Sequence, residues 1–406
     1  VDSEKVAAHR EALKQAERDG LLSAKAASAT TNNPDWFIRL GNDAIPTPER
    51  SALHDRILDD WQNATTNPGR DKIAIMTAGP PGAGKTSART AVQERLSPDG
   101  WHVIDPDDFK DELLKEALED GSFQRMAASM EQPDERFYPR ELAPLVHEES
   151  TMLADKARER AIAAGENVVI DGTLAGRAKP DALAERLTAA GYTIHVVDVE
   201  TTADVSRERV MGRWQGPYEK VQEEAAQGQD VSKELGGRWV NGEVVDFMYR
   251  GRGDNDLSIC ADNAKALIDK HPAVQEVDRY YTPHAKGGAE RLESWQRGDD
   301  GKVTHRTHEG WQTREQQSQQ RAQQQTQQQT KQQAPQERTA DVRSTAGQSR
   351  IEALRGKVGG RGTAGPTAGV AGTKANSVPQ QAKTQGKVSP QRDDKRREDR
   401  TRGQER

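Results

Sequence analysis

Hydrophobic residues recur at regular spacing between about residues 50 and 280 and almost vanish afterwards, so a folded region is followed by a long polar one. Within the patterned stretch, short apolar runs closed by Gly, Pro or Asp alternate with longer amphipathic runs. The short runs at 72–78, 101–105, 167–171 and 192–199 predict strands, and 274–281 predicts a fifth. Helices are expected at about 84–96, 107–118, 140–164, 178–190 and 201–214. Repeated strand–helix units of this kind build an α/β fold: a mainly parallel sheet with helices on both faces. Residues 1 to about 30 read as one polar, Ala-rich helix, interrupted at Asn32-Asn33-Pro34. A second helix is expected over about 48–62, entered through Pro46-Thr47-Pro48-Glu49. The expected organisation is a helical N-terminal segment over 1–65, an α/β domain over 66–300 and a tail over 301–406.

Composition changes the picture mainly in that tail. The hydrophobic fraction of 33% is low for a globular chain, and Gln makes up about half of residues 311–340 before Gly, Thr, Ala, Lys and Arg take over. Such a segment buries too little apolar surface to offset chain entropy of about 1–2 kcal/mol per residue, so it is expected to be disordered. The net charge of −6 conceals an asymmetry: residues 311–406 carry 19 Lys and Arg against 9 Asp and Glu, leaving the remainder near −16. A basic tail admits weak nucleic-acid binding, and a nucleic-acid-associated protein working through it is one alternative reading. The absence of aromatic residues after Trp311 removes the stacking platforms that specific binding uses. No run of about 20 apolar residues occurs, and the first residues are charged, so a cytoplasmic chain with no membrane partner is expected. The single cysteine, Cys260, excludes an internal disulfide framework and is expected to be a buried small hydrophobe.

The strand at 72–78 runs into Gly79-Pro80-Pro81-Gly82-Ala83-Gly84-Lys85-Thr86, followed by Ser87 at the start of a helix. This matches G-x-x-x-x-G-K-[ST], a loop whose backbone N–H groups and helix N-terminus cradle nucleotide phosphates. Lys85 would reach the β- and γ-phosphates of ATP and the Thr86 hydroxyl would ligate Mg²⁺. The second strand ends in Ile104-Asp105-Pro106-Asp107-Asp108-Phe109-Lys110, which places carboxylates at the carboxyl edge of the sheet, where such folds bind ligands. A carboxylate there accepts a proton from an attacking hydroxyl; alternatively, Asp105, Asp107 and Asp108 cap the helix that follows. The third strand delivers Asp171 to the same edge, positioned to hold the Mg²⁺ shell. Arg209 and Arg213 fall four apart on one helix face and would neutralise charge on a transferred phosphoryl, unless that face is merely solvated. No N-K-x-D guanine-reading segment occurs, which argues against a GTPase.

Taken in order, G-P-P-G-A-G-K-T, I-D-P-D-D-F-K, V-V-I-D-G-T and R-E-R-x-x-x-R followed by G-G-R-W-V resemble the zeta toxin family of bacterial kinases over about residues 45–285. The resemblance implies a P-loop kinase that phosphorylates the amino-sugar hydroxyl of UDP-N-acetylglucosamine, with an antitoxin protein as partner. It implies that Lys85 and Thr86 serve the nucleotide loop, Asp107 is the catalytic base, and Thr173 contacts substrate. Asp171 takes the place of an acidic residue that is Glu in some relatives. Arg238 resembles the second of two transition-state arginines, with Arg209 and Arg213 both standing for the first. Glu149, in His147-Glu148-Glu149-Ser150, is a sugar contact or an ordinary polar helix position. Residues 119–149 and 214–236 look like insertions, the second placing Trp214 and Tyr218 where substrate should bind, so another small-molecule acceptor is the alternative.

Overall fold

The computed structural model describes residues 3–130, 136–253 and 256–312, with isolated positions up to 323. These positions belong to one compact unit, Val1–Gln332. The expectation of a disordered tail concerns mostly residues outside those described.

The chain opens with α1 (Ser3–Arg18), a hairpin of β1 (Phe37–Leu40) and β2 (Asp43–Pro46), and α2 (Pro48–Ala64). Next come β3 (Ile73–Ala78), α3 (Lys85–Leu96), β4 (His102–Ile104), α4 (Pro106–Glu119) and α5 (Ser122–Ala127). A 3-10 segment, Pro139–Val146, leads into α6 (His147–Ala164), β5 (Val168–Ile170), α7 (Ala178–Ala189) and β6 (Thr193–Glu200). The described elements end with α8 (Ala203–Ala226), α9 (Gly242–Met248), α10 (Ile259–Lys270), β7 (Val274–Tyr281), β8 (Glu290–Arg297) and β9 (Val303–Thr307).

Seven strands form one sheet in the order β4-β5-β3-β6-β7-β8-β9. The first five are parallel, and β8 and β9 add antiparallel to the edge. Alternate residues of the central strands serve two cores. Ala74, Met76, Val168, Ile170, Ile194 and Val196 face the larger one, which also holds residues of α4, α6, α7 and α10. Ile75, Val169, Val197 and Val199 face α3 through Ala88 and Val92. Burial on both sides accounts for the continuous apolar run of β3 and for Val196, Val197 and Val199 in β6.

Local chemistry sets several boundaries. Asp105 caps α4 by accepting a hydrogen bond from the Asp107 N–H at 2.9 Å, with Pro106 in the first turn. Pro144 lies inside the stretch expected as one helix over 140–164, which divides into the 3-10 segment and α6. The first helix stops at Arg18, well short of residue 30, and α8 runs twelve residues past the expected end at 214. Trp214, Tyr218 and Val221 continue its buried stripe. Trp214 and Tyr218 are each only 1% exposed, so they fill core and present no surface to a substrate.

At the C-terminal edge, β9 lies beyond residue 300, where the tail was expected to begin, so that boundary falls inside a hairpin. The N-terminal segment is likewise part of the same body: Val6, Leu13, Leu22, Ile57 and Leu58 belong to the main core. Cys260 is fully buried, and burial together with nearby Glu200 pushes its thiol up to about 12, which fits the expected inert role.

Candidate active site

The phosphate loop leaves β3 at the centre of the sheet, where the chain steps from β3 outward to β4, back to β5 and then across to β6. This is the switch point at which parallel sheets open a crevice. Gly79 adopts φ +117° with its backbone against β6, where a Cβ would lie 1.9 Å from the Val199 carbonyl oxygen, so only glycine fits. The loop is tied down from three sides. The Gly79 N–H donates to the Thr173 carbonyl at 3.0 Å, the Ser206 hydroxyl to Pro81 at 2.7 Å and the Thr282 hydroxyl to Ala83 at 2.7 Å. Gly84, in the left-handed region, starts α3 with no side-chain cap, and Lys85 reaches back to the Gly79 carbonyl at 3.1 Å. Thr86 and Ser87 are exposed at the helix N-terminus. A rigid ring of backbone donors with a lysine at its rim is what polyphosphate binding requires.

The acceptor side is built by α4. Asp107 is half-buried; its Oδ1 accepts from Lys110 Nζ and from Arg238 Nη1, each at 2.8 Å. Burial pushes this carboxyl up, but Lys110 and Arg238 outweigh it and hold it below the ordinary aspartate range. Arg238 also binds Asp111 at 2.7 Å, and Asp111 in turn accepts from Arg140 at 2.8 Å. Asp108 is exposed, consistent with a plain first-turn carboxylate. Sequence spacing alone points to Lys110, three residues after Asp107 on one helix. Arg140, by contrast, comes from a distant segment and leaves no local signal.

Behind this group, Asp171 accepts from the Thr77 hydroxyl at 2.8 Å and faces Arg89 of α3 at 3.7 Å. Asp105 lies beside Asp171 and Asp107, and burial together with those two charges pushes its carboxyl up to about 7. Thr173 belongs to the same wall, its carbonyl fixed by Gly79 and its hydroxyl accepting from the Ala175 N–H at 3.3 Å. Among the described residues, no three His, Cys, Asp or Glu side chains form a ready metal cage. Thr86, Asp171 and the crowded Asp105 nevertheless offer hard oxygen donors with excess negative charge. That donor set suits Mg²⁺, which fills its shell with water and phosphate oxygens.

The two arginines of α8 separate clearly. Arg209 donates to the carbonyls of Gly82 at 3.1 Å, Ala285 at 2.9 Å and His284 at 3.1 Å, bolting the phosphate loop to the β7–β8 connection. Arg213 is exposed, one turn further along. Glu149 is not part of the site. It is fully buried, its carboxylate gripped by Arg50 at 2.6 and 2.9 Å and by His54 at 2.7 Å. Burial would raise its pKa, but His54 and Arg50 prevail and hold it at about 2. Neither oxygen is free for a sugar, which corrects the contact expected for this residue.

A doubly covered, mainly parallel sheet with a phosphate loop at its switch point and carboxylates on the adjoining strand ends defines a P-loop kinase. The zeta toxin family model matches residues 55–256, and that region belongs to this family of P-loop kinases. The chain is accordingly an ATP-dependent phosphotransferase. Among solved structures, it is similar to a chain of the PezAT chromosomal toxin–antitoxin system of Streptococcus pneumoniae at 15% identity and TM-score 0.40, covering 60% of this chain and 80% of that one. It is also similar to a chain of the AvrRxo1-ORF1:AvrRxo1-ORF2 complex with ATP at 16% identity and TM-score 0.42, covering 64% and 74%. No curated protein matches the sequence. No helix among the described residues is long and apolar enough to cross a membrane.

Proposed function

We propose that the chain transfers the γ-phosphoryl group of ATP to a sugar hydroxyl of UDP-N-acetylglucosamine, with Asp107 as general base. The observation that supports this reading is the carboxylate of Asp107, held ionised by Lys110 and Arg238 in the first turn of α4, at the carboxyl edge of the sheet that also carries the phosphate loop. The acceptor hydroxyl gives its proton to Asp107 as its oxygen attacks the γ-phosphorus, and ADP leaves along the loop. Lys85 compensates charge on the β- and γ-phosphates. Arg213, exposed and next to the loop-bolting Arg209, and Arg238 supply positive charge to the transferred group. Thr86 and Asp171 would hold Mg²⁺, which when bound neutralises and orients the phosphates. An antitoxin that blocks the site belongs to the same proposal, as does a site of action in the cytoplasm.

One observation favours a second reading, a kinase with a different small acceptor. Glu149, the expected sugar contact, is sealed in an ion pair with Arg50. Incubating the purified chain with γ-labelled ATP and a panel of sugar nucleotides, nucleosides and aminoglycosides separates the readings. Label on UDP-N-acetylglucosamine that is lost in Asp107→Asn supports the first. Label only on another acceptor supports the second.

A further inference from the structure

Arg238 sits in a segment without regular secondary structure, between α8 and α9, so no helix or strand fixes its guanidinium. What fixes it instead is a frame of aromatic side chains and α1. Gly236, at φ +71°, passes so close to Tyr138 that a Cβ would lie 2.5 Å from that side chain. At Gly237 a Cβ would lie 1.8 Å from the Trp214 carbonyl oxygen. The two glycines let the chain thread between Tyr138 and Trp214. Trp239 then turns inward, 5% exposed, edge-on to Trp214 with ring centroids 5.3 Å apart. Its indole N–H donates to Glu17 of α1 at 2.8 Å.

The last turn of α1 therefore ends directly on the residue after Arg238. The helix is itself anchored: His9 stacks on Tyr218 at 4.5 Å and bonds Glu141 at 2.9 Å, and Trp214 donates to the same Glu141 oxygen at 2.8 Å. Leu13 is fully buried. Arg238 itself reaches Asp107 and Asp111, while Trp239 is held by the frame. Arg238 and Trp239 are adjacent in the chain, so a displacement of the Trp239 backbone carries Arg238 with it.

We infer that Glu17 and Trp239 are positioning residues that set Arg238 against Asp107, making α1 a working part of the active site. The inference rests on the reading of Arg238 as a transition-state arginine. Because α1 precedes the family-matched region 55–256, the brace is an addition to the matched region. Glu17→Ala removes the acceptor of the indole N–H, whereas Glu17→Gln keeps an oxygen there, and Trp239→Phe keeps an aromatic ring but loses the N–H together with part of the buried indole volume.

The test uses the full chain, γ-labelled ATP and UDP-N-acetylglucosamine, with phosphate release from ATP alone as a readout independent of the acceptor. Melting temperature and hydrogen exchange over 235–241 are measured on each variant. Glu17→Ala and Trp239→Phe are expected to lower kcat by about 10- to 100-fold, the cost of loosening a reacting geometry by a fraction of an ångström to one ångström. KM for ATP should stay unchanged, exchange over 235–241 should speed up, and Glu17→Gln should restore both. Normal kcat in Glu17→Ala and Trp239→Phe, with Arg238→Ala inactive, overturns the brace but keeps the arginine. An active Arg238→Ala overturns the arginine reading and the brace with it. A rate loss that follows melting temperature alone, with Glu17→Gln as slow as Glu17→Ala, assigns α1 to stability and also overturns the inference.

Discussion

At the scale of single residues, the site separates carboxylates that look equivalent in sequence. Asp107 alone of the α4 cluster combines two cationic partners with a lowered pKa, whereas Asp105 caps the helix and is pushed up to about 7. Asp107→Asn should therefore cost about 10²–10⁴ in kcat, the usual worth of a general base, with ATP affinity little changed because the phosphate loop is intact. Single-turnover transfer and ATP binding measured side by side check this, and Asp108→Asn should be nearly silent in both. The arginines make an opposite pair. Arg209→Ala frees the carbonyls of Gly82 and the β7–β8 connection and should weaken ATP binding, while Arg213→Ala should slow transfer and spare binding. Equal effects on binding and rate in both variants would contradict the division. Short-range spacing made the positions of Lys85 and Thr86 at the start of α3 and of a carboxylate group in the first turn of α4 legible, whereas the choice of Asp107 within that group came from the family resemblance. Glu149 was misread because its partners, Arg50 and His54, lie about a hundred positions earlier and nothing local announces them.

Elements extend the same lesson to stability. Glu149 clamps α6 to α2, a contact between the family-like region and the N-terminal segment. Its folded pKa of about 2 lies below the ordinary glutamate value of 4.5, so its stabilising effect is fully present above pH 4.5 and disappears as pH falls toward 2. A shift of that size corresponds to about 3 kcal/mol, to order of magnitude. Glu149→Ala, which strands Arg50 in the interior, should destabilise the fold by about 3–5 kcal/mol at neutral pH. Urea unfolding across pH 2–7 tests both: the variant should lose the part of the parent's pH dependence between 4.5 and 2 that Glu149 supplies, while Glu276, also held at about 2, keeps a comparable part, and an unchanged slope would remove the clamp from the account. Among the elements, β3 and β5 were readable as apolar runs, since burial on both faces leaves no polar alternation, and β4 and β6 as apolar stretches closed by Asp105 and interrupted by Asp198; β7 was expected over 274–281 although Glu276, Asp278 and Arg279 break its run. The hairpin β1–β2 and the strands β8–β9 were not. In β9 all but the first residue is exposed, and β8 mixes Glu290, Arg291 and Glu293 with buried Leu292 and Trp295, so neither carries a clear apolar period.

For the whole molecule, the remaining question is whether the basic C-terminal stretch takes part in catalysis. Residues 333–406 carry 16 Lys and Arg against 8 Asp and Glu, and the acidic remainder holds every group assigned to phosphoryl transfer. The compact unit ends at Gln332, beyond β9, and its sheet is complete without the following residues. A chain truncated after residue 332 should therefore keep its melting temperature and its turnover, because no contact named at the site involves anything C-terminal to His284 and Ala285. Cutting at 300 instead should destabilise the protein, since it removes β9 and the hydrogen bonds that cover β8. Any affinity for nucleic acid should reside in the stretch removed at 332, and in the full chain it should weaken steeply with salt, with a log–log slope of about −0.9 per phosphate contacted. Comparing the two truncations with the full chain by calorimetry, transfer assay and DNA binding at several salt concentrations decides the matter. Loss of turnover in the 1–332 protein at unchanged melting temperature would mean that the basic stretch reaches into the site and that the acidic unit is not catalytically complete.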